Sequence, residues 1–351
     1  MKIGILGHFA RGTALCDGQT VKTRNIEQAL CSRGDIVGTV DSYQWKKHPF
    51  SFFFRIVKLV LKNDIIFMLP DAGGIKVYPY LINLFAFKRK VKIYSVVGGW
   101  LPSFLKKNKR IKRQLLKFDH ILVETRTMQS RLQKQGFGNV TVVPNFKNIL
   151  PLAENQIKYD HESPFRFCIF SRIMKQKGIE DAVFAVNELN QKRGKLVCIL
   201  DIYGPIQDEY KEEFFALCNA YSFCVFYKGI ASPEKSVEIL KDYYMLLFPT
   251  RFYTEGIPGT IIDAFSAGVP VLASEWESYS DVLTDGDSVT YAFGSQEALL
   301  EKLEYCVMNA EIINDYRKEC LRSAKKFSMD MAIQIIFDAC EKKNESFASN
   351  S

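Results

Sequence analysis

Glu255 and Asp263 flank a glycine–proline turn in residues 253–273, which read Y-T-E-G-I-P-G-T-I-I-D-A-F-S-A-G-V-P-V-L-A. An apolar run at 243–249 precedes them and reads as a buried strand. Glu255-Gly256-Ile257-Pro258 then turns the chain. Pro258 suits the first position of a helix, where its missing N–H would lack a partner anyway. The spacing predicts a helix over about 258–267, stopped by Gly268 with Pro270 beyond it, and a further strand over 269–273.

Such a strand–loop–helix can capture an anion. Unpaired amides in the first helical turn point outward, and the helix dipole favours negative charge there. Gly256 lets a ligand approach the backbone closely, and Thr254 and Thr260 can each offer a hydroxyl. The two acids bracket this site, Asp263 lying roughly 7 to 8 Å further along the helix axis than the turn. A carboxylate beside a phosphate does nothing for the phosphate; it accepts from hydroxyls on either side of it. A nucleotide sugar has that layout, with ribose on one side of a pyrophosphate and a sugar on the other. The plainer alternative is a buried helix whose two acids merely favour its N-terminal end.

The pattern Glu255-Gly256-x-Pro258-x4-Asp263-Ala264-x2-Ala267-Gly268-x-Pro270-Val271 resembles the signature of the family 4 retaining glycosyltransferases, which have the GT-B fold. The family's second glutamate is an aspartate here, one methylene shorter. Ser171-Arg172-Ile173-Met174-Lys175-Gln176-Lys177-Gly178 is similar to the family's G-R-x(3,4)-K-G, and Val142-Val143-Pro144-Asn145 to its I-P-N-G, with Phe146 in place of the glycine. The resemblance covers most of the chain and is specific over 165–275. It implies that Glu255 grips the transferred sugar and Asp263 the ribose. Arg172 and Lys177 would hold the pyrophosphate with the backbone of Gly256, Ile257 and Pro258, assisted by Thr260. Lys228, Gly229 and Ile230 would pocket the base, and Gly7, Gly18 and Gln19 would lie near donor or acceptor. It further implies transfer with retention from a nucleoside-diphosphate sugar, UDP favoured, to a glycan or a polyprenyl-pyrophosphate-linked acceptor in surface-polysaccharide assembly. The leaving phosphate itself would take the proton of the incoming hydroxyl. Arg172, Lys177 and the amides neutralise the phosphates, so no metal is expected. Asp285-Gly286-Asp287 spells D-x-D but reads as a glycine turn.

These groups need parallel sheets to position them. Residues 2–7 read as a first strand ending in glycine, followed by a small-residue loop and a helix from Thr20. Further apolar runs at 36–40, 64–69, 91–96, 120–123 and 140–143 alternate with helical segments. A second alternating series begins at 165. Such alternation means doubly wound α/β architecture, and the resemblance implies two Rossmann-like domains facing a central cleft. The expected divisions are an acceptor-binding domain at 1–150, a linker at 151–164, a nucleotide-sugar domain at 165–327, a helix crossing back at 328–343 and a disordered tail at 344–351. Gly98-Gly99-Trp100 stands where many family members carry a histidine. Trp100 reads equally as a platform for an acceptor sugar or as packing beneath the next helix, and His8 and His120 read as structural.

The chain has 351 residues, 47% hydrophobic and 25% charged, which suits two globular domains. No secretory signal or membrane span is legible. Nine cysteines without C-x-x-C spacing read as free thiols, not a zinc site. Residues 1–150 hold 26 Lys and Arg against 8 Asp and Glu, net +18, whereas the remainder holds 21 against 31, net −10. The basic half carries an aromatic run at 50–61 and seven basic residues at 106–117. Together they read as a surface for anionic lipid, so a cytoplasmic enzyme held peripherally at the inner face of the plasma membrane is expected. A core helix beside a solvated basic face is the plain alternative; no nucleic-acid motif accompanies the patch. Two other functions share these features: a nucleotide-sugar epimerase of the same fold, and a non-catalytic partner subunit.

Overall fold

The computed structural model describes residues 2–13, 17–71, 73–87, 90–159 and 162–348. It divides into two units, one made of residues 1–148 with 328–351, the other of 149–327.

The first unit runs β1 (Lys2–Gly7), α1 (Gly18–Ser32), β2 (Ile36–Asp41), α2 (Pro49–Lys62), β3 (Ile65–Leu69), α3 (Tyr78–Phe85), β4 (Val91–Ser95), α4 (Leu101–Lys107), α5 (Lys109–Leu115), β5 (His120–Val123), α6 (Arg126–Gln133) and β6 (Val140–Val142). Its six strands are parallel in the order β2-β1-β3-β4-β5-β6. Every residue of β3 is buried, as a parallel strand covered on both faces requires. The layer of α2 to α6 packs on one face through Phe52, Ile56, Tyr78, Leu105 and Leu132. On the other face Ile26 and Ala29 of α1 share a cluster with Ile3 and Ile5.

The second unit continues with β7 (Phe165–Phe170), α7 (Ile179–Arg193), β8 (Cys198–Tyr203), α8 (Lys211–Ala220), β9 (Val225–Gly229), α9 (Ser236–Leu240), β10 (Met245–Phe248), α10 (Gly259–Ser266), β11 (Val271–Ser274), β12 (Ser288–Tyr291), α11 (Gln296–Met308) and α12 (Ala310–Ala324). Its parallel sheet has the order β12-β11-β10-β7-β8-β9. Helix α7 has Glu180 and Asp181 in its first turn, Lys192 and Arg193 in its last, and a left-handed Gly194 to close it. That arrangement complements the helix dipole at both ends. Residues 149–164 travel with this unit: the Leu152 amide donates to the Ser266 carbonyl at 2.8 Å.

A last helix, α13 (Met329–Ala348), returns to the first unit, where Ala332, Ile336 and Phe337 join the cluster of β1 and α1. It runs five residues into the expected disordered tail, because E-K-K-N-E-S-F-A contains no helix breaker; residues 349–351 lie outside the described set. The seven described cysteines are free and six of them are buried. In both sheets the strand order reverses once, between β1 and β3 and between β7 and β10. In open parallel sheets the carboxyl side of that reversal is where ligands bind.

Candidate functional site

The reversal in the second sheet is framed by two loops, 171–178 after β7 and 249–258 after β10. Their backbones touch. Gly178 has φ +67°, and a Cβ there would fall 1.9 Å from the Pro249 carbonyl oxygen, so only glycine fits. The Arg251 amide donates to the Gln176 carbonyl at 2.9 Å. The Arg251 guanidinium grips Asp181 of α7 with two hydrogen bonds, 2.7 and 2.5 Å, and that carboxylate holds the arginine above its usual range. Gln296 adds a third bond to Asp181 at 2.7 Å. On the other flank, Gly204 at φ +141° presses on the Ser171 carbonyl, which a Cβ would approach to 1.8 Å.

Lys177 and Glu255 meet in this frame. The lysine Nζ donates to Glu255 Oε1, and the Thr250 hydroxyl reaches the same oxygen at 3.4 Å. Their side chains are 21% and 14% exposed, open enough for a ligand to reach both. Lys177 Nζ also lies 5.6 Å from the ring centroid of Phe248. Lys177 ends a short 3-10 turn, and the helix opens two residues later, at Ile179. The left-handed Gly178 is the reason: it reverses the chain before α7 begins.

Helix α10 starts one residue later than expected. Pro258 is its cap, with φ −68° and ψ 127°, and Gly259 is its first residue. The first bond into the helix is from the Ile261 amide to the Pro258 carbonyl, 3.1 Å. The amides at the helix mouth are therefore those of Gly259 and Thr260, not of Gly256 and Ile257. Gly256, Ile257 and Pro258 are buried along the approach. The Thr260 hydroxyl oxygen is buried without a hydrogen-bond partner among the described residues. A polar atom left so beside a helix mouth is unusual unless a ligand completes it.

The other expected donor contacts are more dispersed. Arg172 stands at the end of β7, exposed and with no carboxylate partner among the described residues. Lys228 and Gly229 end β9, two strands over; Gly229 has φ +83°, and its carbonyl takes the Gly204 amide at 3.0 Å. Ile230 is exposed. Asp263 is buried inside α10 and accepts from the Ser236 hydroxyl of α9 at 3.1 Å.

In the first unit the corresponding edge is closed upon itself. Gly18 opens α1, exposed, and the Gln19 side chain donates to the Leu69 carbonyl at 2.8 Å. Gly7 ends β1, where a Cβ would strike the Thr23 methyl. His8 Nδ1 and the Thr20 hydroxyl are 2.9 Å apart, and His120 is half-buried, which lowers its pKa. Lys22 Nζ donates to Glu124 at 2.7 Å and to the Val96 carbonyl at 2.8 Å, each side chain of the pair 3% exposed. Trp100 donates to the Val97 carbonyl at 2.9 Å and sets its ring edge-on to Phe104 of α4, so it packs beneath the following helix. Gly98 precedes it at φ +73°.

Asp285-Gly286-Asp287 is a turn, as expected. Asp287 is fully buried and accepts from the Thr284 amide and hydroxyl at 2.9 and 2.6 Å and from Ser323 at 2.8 Å. Among the described residues no three His, Cys, Asp or Glu side chains are placed to hold a metal ion together.

Thr250, Gln176, Arg251, Asp181, Ser236 and Gly259 escaped the sequence reading. Most of them join loops far apart in the chain, and no local spacing announces such pairs. Gly259 alone had a signal, since a residue after proline is ready to open a helix.

Residues 153–327 match the family model described as glycosyl transferases group 1. A curated relative, the alpha-galactosylglucosyldiacylglycerol synthase of Streptococcus pneumoniae, is 25% identical over 289 residues, 76% of this chain and 75% of its own. Among solved structures, Anabaena HepE in complex with UDP-glucose has a TM-score of 0.77 at 14% identity, over 97% of this chain and 100% of that one. Sucrose-phosphate synthase from Thermosynechococcus elongatus has a TM-score of 0.75 at 13% identity, over 99% of each chain. These likenesses make the architecture a two-domain GT-B fold.

Proposed function

We propose that this glycosyltransferase, whose residues 153–327 match the group 1 glycosyl transferase model, is a retaining, family 4 enzyme that uses a UDP-sugar. One observation carries the reading: Lys177 and Glu255, from loops on opposite sides of the strand reversal, meet beside the open mouth of α10. A nucleoside diphosphate would take Lys177 from Glu255 and receive the amides of Gly259 and Thr260 with the Thr260 hydroxyl. Arg172, exposed on the same edge, would turn its fork to the second phosphate. Glu255, released, would accept from the hydroxyls of the sugar. Asp263 is a positioning residue in this scheme: through Ser236 it fixes the segment after β9, where the base would rest.

These groups stabilise negative charge on a departing diphosphate, and stabilising developing charge is the largest part of most such catalysis. In this reading the sugar departs as an ion pair with the diphosphate, as the family resemblance implies. The leaving oxygen, on the face that the acceptor approaches, takes the acceptor's proton, which accounts for retention. HepE is held with UDP-glucose, which supports a UDP-sugar donor, and the pneumococcal relative is named for a glycolipid, which supports a lipid-borne acceptor; the acceptor proposed is a glycan or lipid-linked oligosaccharide of surface-polysaccharide assembly.

Thermal shift with UDP-, GDP- and dTDP-sugars tests the reading, repeated with Glu255→Ala and Arg172→Ala. UDP-sugars should raise the melting temperature of the natural protein, and both variants should weaken the rise. No shift with any donor, or equal shifts in both variants, removes the site. Incubation with donor alone separates transfer from epimerisation, because only an epimerase converts the sugar unaided.

A further inference from the structure

Helix α2 is apolar on both sides. Phe52, Ile56, Leu59 and Val60 are buried against the first sheet, yet Phe50, Phe54 and Leu61 point to solvent. A helix of this kind normally has something covering its outer face. The exposure continues beyond α2. Phe53 touches Phe54 at 5.5 Å between ring centroids and Phe85 of α3 at 5.9 Å, which joins the outer sides of the two helices. Leu84 and Phe87 flank Phe85, and with Phe50 and Phe54 they are 66 to 81% exposed. Four large apolar side chains so exposed, on or beside two helices whose outer sides meet through Phe53 and Phe85, make a patch, not the scatter of any surface.

The charge around the patch is of one sign. Residues 42–118 contain 17 Lys and Arg and two acids, Asp64 and Asp71, neither of them on α2, α3, α4 or α5. Arg55, Lys58 and Lys62 of α2 pair with no carboxylate among the described residues. The basic helix α5 abuts the patch, since Asn83 of α3 donates to the Gln114 carbonyl at 2.9 Å. A solvated helix face ordinarily alternates its charges; this one does not.

We propose that the outer side of α2 and α3, with the basic helices α4 and α5, docks on the surface of a bilayer rich in anionic lipid, as at the inner face of a plasma membrane. Such a surface supplies both things the patch lacks: an apolar boundary for the phenylalanines and negative headgroups for the unpaired cations. A second copy of this chain meeting the same face would bring two cationic fields together without an acid to offset them. Docking is independent of the donor site, which lies in the other unit.

Co-sedimentation of the full chain with vesicles tests it, using phosphatidylcholine alone and phosphatidylcholine mixed with phosphatidylglycerol. The chain should follow the anionic vesicles and leave them as salt rises. The double variant Phe54→Glu/Leu84→Glu should bind at least about tenfold more weakly, and Arg55→Gln/Lys58→Gln about tenfold more weakly with a shallower salt dependence. Met308→Glu, an exposed apolar residue of the second unit, should bind as the natural protein does. Melting temperature and UDP binding read separately whether each variant is folded and its donor site intact. Absence of binding, equal binding to both vesicles, or a dimer in solution that Phe54→Glu dissociates would each overturn the proposal.

Discussion

Each sheet carries a lysine–glutamate pair at its carboxyl edge, and the two pairs differ in what else holds them. Lys22 and Glu124 are sealed, and the lysine spends a second hydrogen bond on the Val96 carbonyl. Lys177 and Glu255 are partly open, with a long contact from Thr250 and the Phe248 ring beside their own bond among the described residues. A sealed pair repays the cost of desolvation only if it stays whole, so it serves the fold. An open pair can be exchanged for a ligand that offers each partner something better. The same two residue types thus mark structure in one unit and a binding site in the other, and burial tells them apart.

The sharpest way to break this comparison is to cross the mutations. Lys22→Ala should leave the buried Glu124 carboxylate without its ammonium partner, at a cost of about 3–5 kcal/mol in stability, read by thermal melting. The double change Lys22→Met/Glu124→Leu should recover most of it. Lys177→Ala should leave the melting temperature within a few degrees but lower turnover about 100- to 1,000-fold, as removing a donor aimed at developing charge does elsewhere. If Lys177→Ala unfolds the protein, or Lys22→Ala leaves its stability untouched, the distinction between the pairs is lost.

The sequence reveals the open site better than the sealed pair for a physical reason. Gly178, Pro258 and Gly268 each answer a backbone requirement at one position, so their spacing can be read directly. The alternation of apolar runs likewise gives both sheets, because parallel strands are buried on both faces. The pairing of Lys22 with Glu124 across 102 positions leaves no trace in local spacing. Arg251 with Asp181 is the same case. The start of α10 shifted by one residue because a proline suits either the cap or the first turn, and only the ψ of Pro258 decides. The bond between Ser236 and Asp263 joins positions 27 apart, which the chain brings near only once folded.

Acid gives a second comparison between the units. Asp41 of the first unit accepts from the amides of Phe9, Ala10, Arg11 and Tyr43. Burial alone would raise its pKa, but the four amides together outweigh this and hold it below the usual carboxylate value. A carboxylate lowered on folding adds stability above its unfolded pKa, near about 3.9, and loses it as pH falls through the lower folded value. The first unit's edge should therefore loosen below about pH 4. Asp41→Asn should already be weakened at pH 7, by about 1–3 kcal/mol, and should lose this part of the acid dependence. Hydrogen exchange of residues 9–11 across pH 3 to 6 would show it. Unchanged acid dependence in the variant would mean the carboxylate does not hold this loop.

The smallest expected effect concerns a buried hydroxyl of the open site, that of Thr260, which has no hydrogen-bond partner among the described residues. Thr260 keeps its oxygen buried and unbonded in the free protein, a cost of about 1 kcal/mol or more. Valine has the same shape without the hydroxyl. Thr260→Val should then hold or raise the melting temperature in the absence of ligand. If the hydroxyl meets a phosphate oxygen, the same variant should bind UDP about fivefold more weakly, since one such hydrogen bond is worth about 1 kcal/mol net. Calorimetry with UDP separates the two effects, because stability and affinity move in opposite directions. A variant that loses stability and keeps its affinity would show that the hydroxyl serves the fold, as Lys22 does, and would shift Thr260 to the sealed side of the comparison.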